Sequence, residues 1–153
     1  MMKKTILLML LACISVMSIA QTSSYRKRGY KGDVTFGVNA DLSCNGGGVG
    51  LFTTHGFQLN RTWFVGGGIG YENDMLPLYF DAKAYFLERR IKVDPWVEIK
   101  FGVDAVNSGC YISPSFGITL PLPRDYGLTI GLAYGCNPHY DERNIGLRIG
   151  FQF

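Results

Sequence analysis

Beyond its first twenty residues the chain shows no helical repeat of apolar positions. Apolar and polar residues alternate instead with period two, in eight successive segments. In residues 33–44, Val34, Phe36, Val38, Ala40 and Leu42 share one face, opposite Thr35, Gly37, Asn39, Asp41 and Ser43. The pattern recurs over 49–59, 62–72, 76–87, 93–105, 110–120, 127–136 and 144–153. In the fourth segment Leu78, Phe80, Ala82, Ala84 and Phe86 oppose Tyr79, Asp81, Lys83 and Tyr85. In the last, Ile145, Leu147, Ile149, Phe151 and Phe153 oppose Gly146, Arg148, Gly150 and Gln152. Turn-forming stretches separate the segments, among them Asn45-Gly46-Gly47-Gly48, Asn60-Arg61, Asn73-Asp74, Glu88-Arg89-Arg90 and Pro123-Arg124-Asp125.

Segments of about ten residues are longer than ordinary strands and match the length that crosses a bilayer at a tilt. Short connections make neighbours antiparallel hairpins, and eight in series close into an up-and-down barrel with no free edge. The expected fold is therefore all-β, an eight-stranded antiparallel up-and-down transmembrane β-barrel. Size decides which face points out. The interior of an eight-stranded barrel is just wide enough for side chains to fill it. One face carries nearly all the Leu, Ile, Val and Phe; the other is Gly-rich with Asp, Lys, Ser and Thr. The slim face fits inside and the bulky one suits lipid. The competing arrangement is a soluble lipocalin- or avidin-like barrel with the apolar face inward.

Composition fits a membrane wall built by alternation. The 153 residues include 20 Gly and are 14% aromatic, yet past the first twenty residues no apolar run nears the ~20 residues of a membrane helix. Met1-Met2-Lys3-Lys4, the apolar run to Met17, and Ser18-Ile19-Ala20 read as a secretory signal cut after Ala20. Leu11-Ala12-Cys13 offers the alternative of a lipoprotein signal lipidated at Cys13, although residues 14–19 stay apolar where such a protein turns polar. Removing residues 1–20 leaves thirteen basic side chains against twelve acidic, so bulk charge recommends no nucleic-acid partner. The division expected is a signal peptide at 1–20, a basic periplasmic arm at 21–31 and a barrel at 32–153.

Eight alternations ending in Leu147, Ile149, Phe151 and Phe153 resemble the small outer-membrane barrels typified by the OmpA membrane domain and OmpX. The resemblance covers residues 32–153. It implies insertion in the outer membrane of a Gram-negative cell envelope, with outer-membrane lipid as surroundings. It also implies that the assembly machinery reads Phe151 and Phe153 as a C-terminal signal. Both termini would be periplasmic, as would the turns near Asn60, Arg89 and Arg124. The loops near Gly47, Asn73, Asn107 and His139 would be extracellular; their shortness speaks against adhesion or receptor roles.

Matching outward faces across the fourth and fifth segments sets Phe80 beside Phe101, Asp81 against Lys100 and Lys83 against Glu98. Across the third and fourth, the expected register sets Gly68 opposite Asp81 and Gly66 opposite Lys83, leaving room for the charges. Asp41, Glu72, Asp104 and Arg148 also point inward. Buried ions cost several kcal/mol each unless paired, so a salt-bridge and water network filling the lumen is expected, with a narrow polar conduit as the alternative. A register placing Phe116 beside Ile130 would bring Cys110 and Cys136 together as a disulfide; free thiols or a Cys44 partner are the other possibilities. His55 falls on the lipid face and His139 in the last loop, without metal-ligand spacing, and no outward Ser stands beside His55. No enzyme, cofactor or metal is expected. Asn60-Arg61-Thr62 matches a glycosylation sequon by chance, and Pro114 should bulge the sixth strand. The function classes left are a monomeric structural or envelope-associated barrel and a minor porin for small solutes.

Overall fold

A computed structural model describes residues 28–42, 46–86, 93–123, 126–137 and 142–153, with only the backbone at 136, 137 and 142. The signal peptide, Cys13, the arm up to residue 27, Cys44, and the turns or loops at Arg89, Arg124 and His139 lie outside the described residues. Eight strands follow in chain order: β1 Gly29–Asp41, β2 Gly47–Gln58, β3 Trp63–Glu72, β4 Pro77–Tyr85, β5 Asp94–Asp104, β6 Cys110–Pro121, β7 Gly127–Asn137 and β8 Glu142–Gln152. Each pairs antiparallel with its chain neighbours, and β1 pairs with β8, closing the barrel. β1 begins at Gly29, so Tyr30 and Lys31 belong to the wall rather than to the expected arm.

The registers fix the stagger. Stepping across the barrel from Gly32 through His55, Gly67, Phe80, Phe101, Ile112 and Cys136 ends at Arg143. Gly32 itself bonds Phe153, one residue past the end of β8, in both directions, at 3.0 and 2.9 Å. The circuit therefore slips ten residues along β8. Closure with such a slip requires strands inclined roughly 35–45° to the axis. At ~3.3 Å per residue, strands of 9–13 residues then raise a wall on the order of 25 Å tall, the height of a bilayer's apolar slab.

The wall is inside out relative to a soluble protein. Among the described residues 28 large apolar side chains are exposed and only eight, with two alanines, are buried, while twenty polar or charged ones are buried. Phe80, 68% exposed, stacks on the exterior against Phe101 at 5.8 Å between ring centres. A soluble monomer rarely exposes more than a few hundred Å² of contiguous apolar surface, so this exterior is built for lipid. The soluble-barrel alternative is thereby corrected.

Two expected registers are shifted by two residues, and turn chemistry explains both. Asn73 and Asp74 take positive φ of 46° and 64°, which makes Glu72-Asn73-Asp74-Met75 a two-residue hairpin turn with mutual backbone bonds between Glu72 and Met75. That turn sets Gly66, not Gly68, opposite Asp81, and Phe64 opposite Lys83. Between β6 and β7 the Leu122 amide bonds the Tyr126 carbonyl, pairing Pro121 with Gly127 and Phe116 with Leu132 rather than with Ile130. Cys136 then lies opposite Ile112, two residues from Cys110, which is a free, exposed thiol. The expected Cys110–Cys136 bridge loses its register. Pro114 produces no bulge. The β6–β7 pairing keeps one register on both sides of it and merely skips Ser113 and Pro114, where proline has no amide to give.

Candidate functional site

Among the described residues the buried polar and charged side chains gather in the lumen, and β4 sets its layers. Its inward residues run Tyr79, Asp81, Lys83, Tyr85: aromatic, acid, base, aromatic. Tyr79 joins Phe52 and Tyr111 in one aromatic layer toward the 73–76 loop, and Tyr85 joins Phe64 and Trp96 in another toward the opposite end. Glycines on the facing strands make this possible. A Cβ on Gly70 would overlap the Phe52 ring, one on Gly68 would lie 2.7 Å from the Tyr79 hydroxyl, and one on Gly131 2.7 Å from Trp96. The room that glycine leaves goes to the aromatic layers, not to the charges as the sequence reading expected.

Between the two layers lies the ionic one. The β4–β5 register is the expected one, with Asp81 opposite Lys100 and Lys83 opposite Glu98. The contacts reach further than the hairpin. Lys83 Nζ lies 2.8 Å from Glu98 Oε1 and 3.2 Å from Asp33 Oδ2, crossing the lumen from β4 to β1. Lys100 Nζ lies 3.3 Å from Glu98 Oε2, and Ser115 donates a 2.7 Å bond to the same carboxylate. Both lysines also sit over aromatic faces, Lys83 5.0 Å above Trp96 and Lys100 5.3 Å from Tyr79, where ring quadrupoles favour a cation. Asp81 is buried among these groups, and neither of its carboxylate oxygens has a hydrogen-bond partner.

Nearer the 73–76 loop, Arg148 stacks 4.3 Å over Phe52, donates to Tyr111 and Ser113, and lies 3.9 Å from Glu72. Glu72 takes further bonds from Tyr111 and Asn39. Two other expected members sit at strand ends. Asp104 binds the amides of Leu76 and Val106 and the side chain of Asn107, so it ties two loops together. Asp41 is half-buried at the end of β1. Asp33, Lys31 and Asp94 are buried lumen charges that the sequence reading passed over. The signal for Asp33 was available, because it continues the inward series of Thr35, Gly37 and Asn39.

On the outer wall, Tyr30 bonds His55 Nδ1 at 2.5 Å and Thr53 Oγ1 lies 3.1 Å from Nε2, so both ring nitrogens are engaged. Phe153 covers Gly32 and packs edge-on against His55, with ring centres 6.1 Å apart, while Phe151 faces outward. Thr53 is an outward hydroxyl beside the imidazole that the sequence reading did not weigh. With its nitrogens held by Tyr30 and Thr53, His55 serves as a bonded wall residue. Asn60 likewise has structural work: its side-chain oxygen accepts the amides of Thr62 at 2.8 Å and Trp63 at 2.7 Å.

No protein-family model and no curated protein matches this sequence. Among solved structures, the chain is similar to a de novo designed transmembrane β-barrel, with a TM-score of 0.60 and 15% identity over 85% of this chain and all of that one. It is also similar to the N-terminal β-barrel domain of OprF from Pseudomonas aeruginosa, with a TM-score of 0.56, 13% identity, and coverage of 83% and 100%. Neisserial surface protein A gives a TM-score of 0.55 at 11% identity, covering 80% of this chain and 94% of its own. At such identities the likeness is one of fold: the chain folds as a closed, eight-stranded, all-antiparallel barrel of the transmembrane kind.

Proposed function

We propose that the chain is an integral outer-membrane barrel with a plugged lumen, monomeric and not an enzyme, whose role is structural within the envelope. The observation that carries this reading is the layering along β4, where ion pairs are enclosed between two aromatic layers while the apolar side chains face out. A pore needs a continuous polar passage; here Phe52, Tyr79 and Tyr111 lie across one side of the ionic layer, and Phe64, Tyr85 and Trp96 across the other. The two outer-membrane likenesses and the apolar exterior support the location. A signal cut after Ala20 and reading of the terminal Phe151 and Phe153 by the assembly machinery complete the route. Fractionation of expressing cells tests it. The protein should enter the outer-membrane fraction, lack residues 1–20, and change gel mobility on heating in detergent. Recovery in the soluble periplasmic fraction would overturn the proposal.

A further inference from the structure

With its three carboxylates ionised, the ionic layer holds one more negative charge than positive, and the other buried lumen charges, Lys31 and Asp94, add one of each sign. Asp33, Asp81 and Glu98 face Lys83 and Lys100, and the neighbouring Glu72 and Arg148 cancel each other. One oxygen from each of Asp33, Asp81 and Glu98 lies within 4.8 Å of the other two. The lysines are committed to Asp33 and Glu98, which leaves Asp81, 2% exposed, with both oxygens unpartnered in the middle of the cluster. An isolated buried carboxylate costs several kcal/mol, so the cluster favours one further positive charge. Some point lies within about 2.8 Å of all three oxygens at that spacing, close to the roughly 2.3–2.6 Å at which oxygen ligands hold a hard cation.

We propose that Asp81, with Asp33 and Glu98, forms an internal site for one monovalent alkali cation of sodium size. The charge count selects a monovalent ion, since a divalent one would leave the layer net positive beside two lysines. Carboxylate oxygen selects a hard ion. Tyr79 and Tyr85 bracket the site on β4, and their aromatic layers lie across both approaches, so the ion would enter during folding and leave slowly. The site rests on the lumen geometry and not on the envelope role proposed above; a barrel found in the wrong compartment could still bind the ion.

The full chain is refolded into phosphocholine vesicles in sodium chloride, and separately in N-methylglucamine chloride of equal ionic strength, and unfolded with urea. The expected result is a higher urea midpoint in sodium for the wild type, with no sodium dependence in Asp81→Asn or Asp81→Ser. Sodium retained per folded barrel in detergent after exchange into N-methylglucamine chloride, and absent from the folded fraction of either variant, reads the site directly. Equal midpoints in the two salts with no retained sodium overturn the proposal. So does a midpoint that follows pH but not the salt cation, because a proton on Asp81 would then supply the missing charge.

Discussion

Replacing Lys83 with Met removes the charge that ties β4 to β1 across the lumen while keeping most of the side-chain volume. The lysine reaches Glu98 at 2.8 Å and Asp33 at 3.2 Å, and lies over Trp96. Without it, Glu98 keeps Lys100 at 3.3 Å and the Ser115 bond at 2.7 Å, so it stays compensated. Among the described residues Asp33 keeps only the Thr35 hydroxyl at 3.3 Å, and is the group left stranded. Breaking one side of a buried ion pair costs about 3–5 kcal/mol. With a single stranded carboxylate the expected loss lies at the lower end, about 3 kcal/mol. At an m of roughly 2 kcal/mol/M, that moves the urea midpoint down by about 1.5 M in vesicles and sodium-free buffer. Adding Asp33→Asn to Lys83→Met replaces the stranded charge with a neutral amide and should restore most of the midpoint, whereas Glu98→Gln should not. A Lys83→Met barrel as stable as the wild type, or one rescued by Glu98→Gln and not by Asp33→Asn, would refute the reasoning.

Gly70→Ala pushes a methyl group into the Phe52 ring and should destabilise the barrel by about 1–3 kcal/mol. Phe52→Leu in the same chain should recover part of that in urea titrations, and an additive double variant would show that the two sites are not in contact. Cys110, exposed and free, should react with a membrane-impermeant maleimide on intact, unreduced cells; protection that reduction lifts would point to a disulfide instead. Asn60→Ala removes the acceptor for the Thr62 and Trp63 amides and should cost about 1 kcal/mol by urea midpoint. An Asn60→Asp variant, which keeps the oxygen, should stay near the wild type.

Period-two alternation made strand number, face and closure readable, because size alone decides which face an eight-stranded barrel can hold inside. Parity was as far as the pattern could reach in most hairpins. The β4–β5 register came out right because two charge pairs of opposite sense, Asp81 with Lys100 and Lys83 with Glu98, pin it. The β3–β4 and β6–β7 registers were two residues off, a slip that preserves parity and so leaves no trace in the alternation. Their true values depend on the left-handed backbone of Asn73 and Asp74 and on the Leu122–Tyr126 bond. The contact between Lys83 and Asp33 joins residues fifty positions apart on strands that are not neighbours. Only the stagger of the closed barrel brings them together, and no local pattern records it. The same holds for Asp81, which looks paired in the flat ladder and is left without a hydrogen bond in the cylinder.

The proposal of a plugged lumen is tested most directly by single-channel recording of the refolded protein in planar bilayers. Insertion should be demonstrable by heat-dependent gel mobility while the membrane current stays at baseline, with no discrete steps. Reproducible unitary conductance steps from the wild-type barrel would contradict the account, because they require a continuous water path through both aromatic layers.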